Sequence, residues 1–498
     1  MILTVIIIYL LGMLGIGFWA SKKIQNDEDY LMGGFNFGLL PMTGTYLATY
    51  FSALSLLGGV GLIYRTGVGG SWMPMAWALG SAFGPILAIR FRRVRIVSPS
   101  EFFYKRYGSR GLQVFGAGAS IIALLFNMVV QITAMGLVWN LATGRSMTEG
   151  LLIGTAVALL YTAFGGFYAV VWTDVVQCGI FLITIAIAVI VVITQVGGLS
   201  EIFTQAAAIN TPPEIGADPT EAGSMLKLLG SYTALSLFFT FLVQGPGTGT
   251  RPEYLQRMQA AKDMKTTLST YKYAWIILIF VYIGLNIVGV GGRVLMPTMA
   301  EGLKSDWIMP VLFMTYTNPI ITGLFFAGLL AAAMSTVDSS MIIITSSATD
   351  ILKVAKGNKK IDQKRLTLFS RCVIILTGIA VFFMALHSND FIVTVAGYGF
   401  GILGLTFFIP LIFGLYSKRA NAKGAWACII GGSITFCIWQ YCISSGIFAA
   451  DSLAATIPPL GMSILVGAIL MWIVSICTKP MDEKYWKPYL TRPEDMTE

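Results

Sequence analysis

Apolar runs close to twenty residues long recur along the whole chain, the length a helix needs to cross the roughly 30 Å hydrocarbon core of a bilayer. They include 2–20, 73–89, 152–164 continuing through 175–196, 273–291, 372–386, 391–416 and 424–442. With 56% hydrophobic and 11% charged residues, against about 25% charged in a soluble protein, the chain cannot cover a globule with polar surface. The sequence predicts an all-α polytopic membrane protein whose partner is the lipid bilayer. The first run, "ILTVIIIYLLGMLGIGFWA", has no basic residue before it and is followed by Lys22 and Lys23. It reads as a retained helix with its N-terminus outside; a cleaved signal peptide starts basic and ends at a small-residue cleavage site.

The formal charge of +9 raises nucleic acid as a partner, but the basic residues form no arm or face and fall in loops between apolar spans. Orientation explains them better. Loops after alternate spans hold Arg90, Arg92, Arg93, Arg95, Lys105, Arg106 and Arg110, then Arg251, Arg257, Lys262 and Lys265. Two more hold Lys353, Lys356, Lys359, Lys360, Lys364, Arg365 and Arg371, then Lys418, Arg419 and Lys423, while 198–224 carries Glu201, Glu214, Asp218 and Glu221. Lys/Arg-rich loops stay in the cytoplasm, so alternation from an outside N-terminus requires about 13 transmembrane helices and a cytoplasmic C-terminal tail. The expected location is the plasma (inner) membrane, with no nucleic-acid partner.

Cys178, Cys372, Cys428, Cys437, Cys442 and Cys477 show no CxxC spacing and read as small hydrophobes. His387 is the single histidine. A zinc site of the HExxH type or an intramembrane Ser/His hydrolase needs a companion that it lacks, so the chain is not expected to be an enzyme.

Irregular backbone and polar groups at membrane depth survive only where they are buried in protein or line a wet cavity. Residues 43–69, "TGTYLATYFSALSLLGGVGLIYRTGVG", interrupt an apolar span with Thr49, Ser52, Ser55 and the pair Gly58–Gly59. Glycines also let helices pack closely, but with these hydroxyls the stretch predicts a broken helix. Such a break frees carbonyls for a monovalent cation and amide dipoles for a polar solute. A second interruption is expected at 241–257, "FLVQGPGTGTRPEYLQR", where Gly245, Pro246, Gly247 and Gly249 disfavour continuous helix. About four spans separate the two, the spacing of corresponding members of inverted five-helix repeats.

The stretch "AAAMSTVDSSM" (331–341) places Ser335, Asp338 and Ser339 at i, i+3 and i+4, one helix face, with Ala331 and Ala332 offering close approach a turn earlier. Single hydroxyls in membrane helices often bond their own i−4 carbonyl. A carboxylate is different, because burying its charge costs on the order of 3 kcal/mol or more, so Asp338 needs a cation, a proton or water. Asp174 in "VVWTDVVQCGIF" poses the same demand. Hard oxygen ligands without histidine or thiolate favour sodium or a proton over a transition metal.

Several of these segments resemble the sodium:solute symporters, whose members carry proline, pantothenate, monocarboxylates, sialic acid and sugars. "YTAFGGFYAVVWTDVVQ" (161–177) resembles the family's signature around Gly-Gly and Trp-Thr-Asp. "GLYSKRANAKGAWACIIGG" (414–432) resembles the second, with Arg419, Gly424 and Ala425 in place and Cys428 where a small residue is usual. "AAAMSTVDSSM" is similar to its Ala-x-x-Ser-Ser/Thr segment. "RPEYLQRMQAAKDMKT" matches a family loop at Pro252 and Arg257 but departs at Arg251 and Glu253 from the usual Gln and His. "LYTAFGGF", "MST" followed by "SSAT", and "RANAKGA" resemble the pantothenate-permease branch.

The resemblance implies a five-plus-five inverted-repeat (LeuT-like) core at 37–416, preceded by a leading helix and first cytoplasmic loop (1–36). Two additional helices (417–477) and a cytoplasmic tail (478–498) follow, all in one transmembrane transporter domain over 1–498. It implies a main sodium (Na+) site built from carbonyls of Ala48, Phe51 and Ala332 and hydroxyls of Ser335 and Thr336. A second cation site would take Asp174, Ser335 and Ser339, with Asp338, where the family usually has a neutral residue, given a cation-linked role. Substrate contacts carried over are Ser52, Ser55, Trp72 and Gln131. No Arg or Lys lies in the apolar part of 112–140, so an anionic solute would lean on helix N-termini and bound sodium. The expected function is sodium-coupled symport importing a small organic solute (a carboxylate such as pantothenate or a monocarboxylate, an amino acid or a sugar) by alternating access. The alternative is a transporter-like sensor, for which the tail after Cys477 is too short to hold a kinase.

Overall fold

The structure, a computed structural model, describes residues 1–230, 232–357, 361–387, 390–449 and 452–491, with backbone alone at 54, 79, 81, 244, 246, 248, 390–398 and 400. Lys359 and Lys360 of the third basic loop, and tail residues 492–498, lie outside the described residues. The helices, in chain order, are α1 (Ile2–Ser21), α2 (Asp27–Met32), α3 (Leu39–Tyr50), α4 (Ala53–Thr66), α5 (Trp72–Phe91), α6 (Glu101–Tyr107) and α7 (Arg110–Thr143). Then come α8 (Met147–Val196), α9 (Leu199–Ala208), α10 (Ala234–Gly249), α11 (Pro252–Ala260), α12 (Met264–Leu295), α13 (Ile308–Tyr316) and α14 (Pro319–Ala355). The chain ends with α15 (Gln363–Leu386), α16 (Asp390–Tyr416), α17 (Ala422–Ser444), α18 (Leu453–Thr456), α19 (Pro459–Cys477) and α20 (Glu483–Leu490).

The boundaries follow local chemistry. Ser109, Ser146, Asp263, Asn318 and Asn421 each accept a backbone N–H at the start of α7, α8, α12, α14 and α17, offsetting donors that a first turn leaves unpaired. Among the described residues, nine stretches are long and apolar enough to cross a membrane, and Ala234–Val243 and Gly401–Tyr416 are shorter apolar helices.

At 50 residues α8 is over twice the length of one span, and it is broken at Gly166, whose φ of 51° and ψ of −151° no L side chain adopts readily. A Cβ there would lie 2.4 Å from the Tyr30 carbonyl oxygen, and the Tyr30 hydroxyl donates to Ala163 O at 2.8 Å, holding the corner. Gly166→Ala is expected to cost about 1–3 kcal/mol, read as a lower melting temperature of the detergent-purified protein.

The centre of the molecule is α14, 83% of whose most apolar window is buried; it packs against α7, α8, α1 and α15. The second interruption falls within the expected 241–257, past its glycines. Helix α10 continues through Gly245–Gly249, and the chain leaves helical geometry at Arg251 (φ −62°, ψ 144°). Two of these glycines stand at a close approach to α5: a Cβ on Gly249 would lie 2.5 Å from Gly80 O, and one on Gly80 would lie 2.3 Å from Gly245 O. The two departures from the family loop pattern pair with each other, Arg251 Nη2 to Glu253 Oε1 at 2.5 Å.

Candidate functional site

The first interruption is a true break, placed six residues before the glycine pair. Helix α3 stops at Tyr50, Phe51 (φ −90°, ψ 128°) and Ser52 (φ −120°, ψ 166°) are extended, and α4 begins at Ala53. A reciprocal cap locates it: Ser55 N donates to Ser52 Oγ at 3.2 Å and Ser52 N to Ser55 Oγ at 2.7 Å. This satisfies the first donors of α4, whereas Gly58 and Gly59 lie inside that helix. The hydroxyls of Ser52 and Ser55 thus serve the cap first.

Beside the break, α14 presents its oxygens to the last turn of α3. Ser335 Oγ lies 3.0 Å from Ala48 O and 3.1 Å from Ala332 O, and Thr336 Oγ1 lies 3.2 Å from Ala332 O. Ala48, Phe51, Ala332 and Ser335 are at most 1% exposed and Thr336 is 8% exposed. These neutral oxygens are of the hard type that oxygen-seeking cations take.

Asp174 and Ser339 also come together, and a guanidinium stands between them. Arg257 Nη2 lies 3.1 Å from Asp174 Oδ2 and donates to Ser339 Oγ at 2.7 Å; its Nε donates to Thr45 Oγ1 at 2.9 Å. Thr45 Oγ1 in turn donates to Asp174 Oδ2 at 2.5 Å. Asp174 and Arg257 are 0% and 1% exposed at the side chain, and Asp174 Oδ1 is buried with no hydrogen-bond partner. Two other fully buried arginines, Arg106 and Arg293, point their N–H groups largely at backbone carbonyls. Arg257 pairs with a carboxylate.

Asp338, one turn from Ser335 on the same continuous helix, takes its partners from α8. The Tyr161 hydroxyl donates to its Oδ2 and Thr162 Oγ1 to its Oδ1 at 3.1 Å, both from α8 ahead of the Gly166 corner. It has no ion pair among the described residues. Ser339, by contrast, bonds back to Ser335 O at 2.7 Å, the local habit of membrane hydroxyls.

A cavity of about 170 Å³ opens from the first turns of α4. Ala53 and Gly58 line it with Gln131 of α7, Leu329 of α14, and Asp306 and Trp307 just ahead of α13. Gln131 is 2% exposed and its Oε1 has no hydrogen-bond partner. Trp72 is not brought here. Its Nε1 donates to Leu228 O at 2.7 Å and its ring lines a separate groove between α5, α10 and α12.

Arg257, Thr45, Tyr161 and Thr162 were not named as site residues by the sequence reading. The requirement that a buried carboxylate find a cation carried the signal for Arg257.

The sodium:solute symporter family matches residues 30–432, and the chain belongs to that family, a family of membrane transporters. It is 27% identical over 475 residues to the osmoregulated proline transporter OpuE of Bacillus subtilis, covering 94% of this chain and 93% of that one. The sodium/pantothenate symporter of Haemophilus influenzae is 28% identical over 447 residues, covering 86% and 88%. Among solved structures, a sodium-coupled sialic acid symporter in a substrate-bound outward-open state superposes with a TM-score of 0.80 at 20% identity, covering 97% of this chain and 98% of that one. The fold is that of the LeuT-like transporters.

Proposed function

We propose that the protein imports a small organic solute coupled to sodium, by alternating access in the plasma membrane, with its N-terminus outside and its C-terminus in the cytoplasm. The observation that carries this reading is the cluster of oxygens at the helix break, where Ser335 Oγ stands within 3.1 Å of carbonyls from both α3 and α14. Sodium is held there by the carbonyls of Ala48, Phe51 and Ala332 and the hydroxyls of Ser335 and Thr336, each hydroxyl turning a lone pair to the ion. The solute occupies the adjoining cavity, with Gln131 as its amide contact and the N-terminal turn of α4 as a positive dipole end.

Arg257 supplies the positive charge at Asp174 when no second ion is there. A second sodium at Asp174 and Ser339 requires the guanidinium to give up at least one of them, and the spare acceptor Asp174 Oδ1 is the atom it would meet first. Asp174→Asn is expected to lower the sodium Hill coefficient toward one; a coefficient already near one and unchanged in the variant assigns Asp174 to structure alone.

Uptake into proteoliposomes tests the reading. An inward sodium gradient should accumulate one of a panel of amino acids, small carboxylates (pantothenate among them) and sugars, and an equal potassium gradient should not. Gln131→Ala should weaken solute affinity roughly fivefold, the worth of one ordinary hydrogen bond. A solute that binds with sodium yet never accumulates overturns transport in favour of sensing.

A further inference from the structure

A groove of about 220 Å³ lies between α5, α10 and α12, apart from the site above. Its floor is one stripe of α12, where Trp275, Ile279, Tyr282, Ile283 and Asn286 share a face. At 1.5 Å per residue that stripe is about 16 Å long. On the opposite side, Trp72 and Phe241 stand edge to face with centroids 6.0 Å apart, and Met75 and Ala78 complete the α5 wall.

The wall gives water little to hold. Asn286 accepts from the Ser71 hydroxyl and donates to Tyr282 O at 2.9 Å, and the Trp72 indole N–H is spent on Leu228 O. Trp275 Nε1 is buried without an acceptor, one donor where a buried water needs two to four partners. The groove is also continuous with the surface that faces the bilayer. Met75, Ile279 and Ile283 on its rim are 38%, 47% and 53% exposed, and the neighbouring Phe280 is 70% exposed, on helices within apolar spans.

We infer that this groove holds one acyl chain of a membrane lipid, lying lengthwise along α12. Water is disfavoured on an apolar wall, and the apolar material in contact with the rim is the bilayer's own hydrocarbon. The stripe runs along the helix axis, the direction in which a chain enters beside a transmembrane helix. Its position gives the chain a structural consequence: Tyr282 on the floor meets Phe51 at the helix break, ring centroids 6.4 Å apart. The lipid therefore backs the aromatic wall against which the break is set.

The test uses the full chain in vesicles of phosphatidylethanolamine and phosphatidylglycerol with a trace of phosphatidylcholine bearing a diazirine in one acyl chain. After illumination, peptide mapping should find adducts enriched several-fold on α12 residues 275–286 and on Met75 and Ala78, relative to the exposed apolar residues of α1 and α17. Ala78→Trp, which fills the groove with an indole, should remove most of those adducts while leaving the α1 adducts unchanged. Ile283→Trp, a substitution at the exposed rim, serves the same end if the first variant does not fold. Even labelling across the bilayer-facing helices, or groove labelling that survives the filled variant, overturns the inference. No transport is needed for the readout, so the result is independent of the symport reading.

Discussion

Arg257→Gln is expected to destabilise the protein by about 3–5 kcal/mol, the cost of leaving one charge of a buried ion pair without its partner. The abandoned group is Asp174, whose Oδ2 would keep only the Thr45 hydroxyl and whose Oδ1 has no partner to begin with. Ser339 loses its donor in the same substitution. Asp174→Asn/Arg257→Gln should recover most of the loss, because two neutral amides in one site carry no uncompensated charge and can bond to each other, whereas Asp174→Asn alone strands the guanidinium. The thermal melts of the four proteins form a double-mutant cycle, and coupling between the sites should exceed about 1 kcal/mol, the scale expected of contacting residues. Additive losses would show that the pair contributes nothing as a pair. A double variant that is stable but has lost sodium-dependent uptake would separate the transport role of Asp174 from its part in the fold.

The sequence made the large features of this molecule readable because they follow from simple counts. Span lengths, the basic loops and the need for polar groups at membrane depth to have a purpose pointed to 43–69 and to 331–341 as working parts. The break itself was less legible. Gly58–Gly59 drew attention as the weak point of the helix, yet Ser52 and Ser55 form a cap that ends one half-helix and starts the next, leaving the glycines inside α4. The Gly-Pro-Gly run pointed in the same direction, yet α10 runs through it, and the backbone of Gly80 on another helix lies against Gly245 and Gly249, a contact that no local pattern encodes. Arg257 was hidden for a different reason. It lies in a loop already explained by the positive-inside rule, and a charge with one sufficient explanation invites no second. Only the geometry shows that Asp174 and Arg257, 83 residues apart, share a site. Asp338 was legible as an anomaly and illegible in its partners, because Tyr161 and Thr162 come from the far side of the Gly166 corner, a reversal that the apolar run disguises.

Ser335→Ala and Thr336→Ala should each raise the sodium concentration needed for half-maximal binding by roughly 10- to 100-fold, the equivalent of about 1.5–3 kcal/mol for one ligand to a charged group. Ser335 should show the larger effect, because its hydroxyl stands 3.0 Å from Ala48 O of α3 and 3.1 Å from Ala332 O of α14 and so joins the two helices at the break. Thr336 reaches only the Ala332 carbonyl in this arrangement. The solute should feel the loss indirectly. In the proposed site sodium would fix the extended segment at Phe51 and Ser52, so that a solute arriving afterwards would meet a cavity floor already ordered, and linkage requires the benefit to be equal in both directions. In Ser335→Ala the solute's affinity should therefore fall at low sodium and return toward wild type when sodium is raised to saturation. Substitution in Gln131 should behave oppositely, weakening the solute at every sodium concentration while leaving sodium binding alone nearly intact. Calorimetric titration of sodium into purified protein, with and without a solute identified by the uptake panel, distinguishes the two patterns. Wild-type sodium dependence in both hydroxyl variants would move the ion away from the break altogether, and with it the physical basis for coupling the two sites through one interrupted helix.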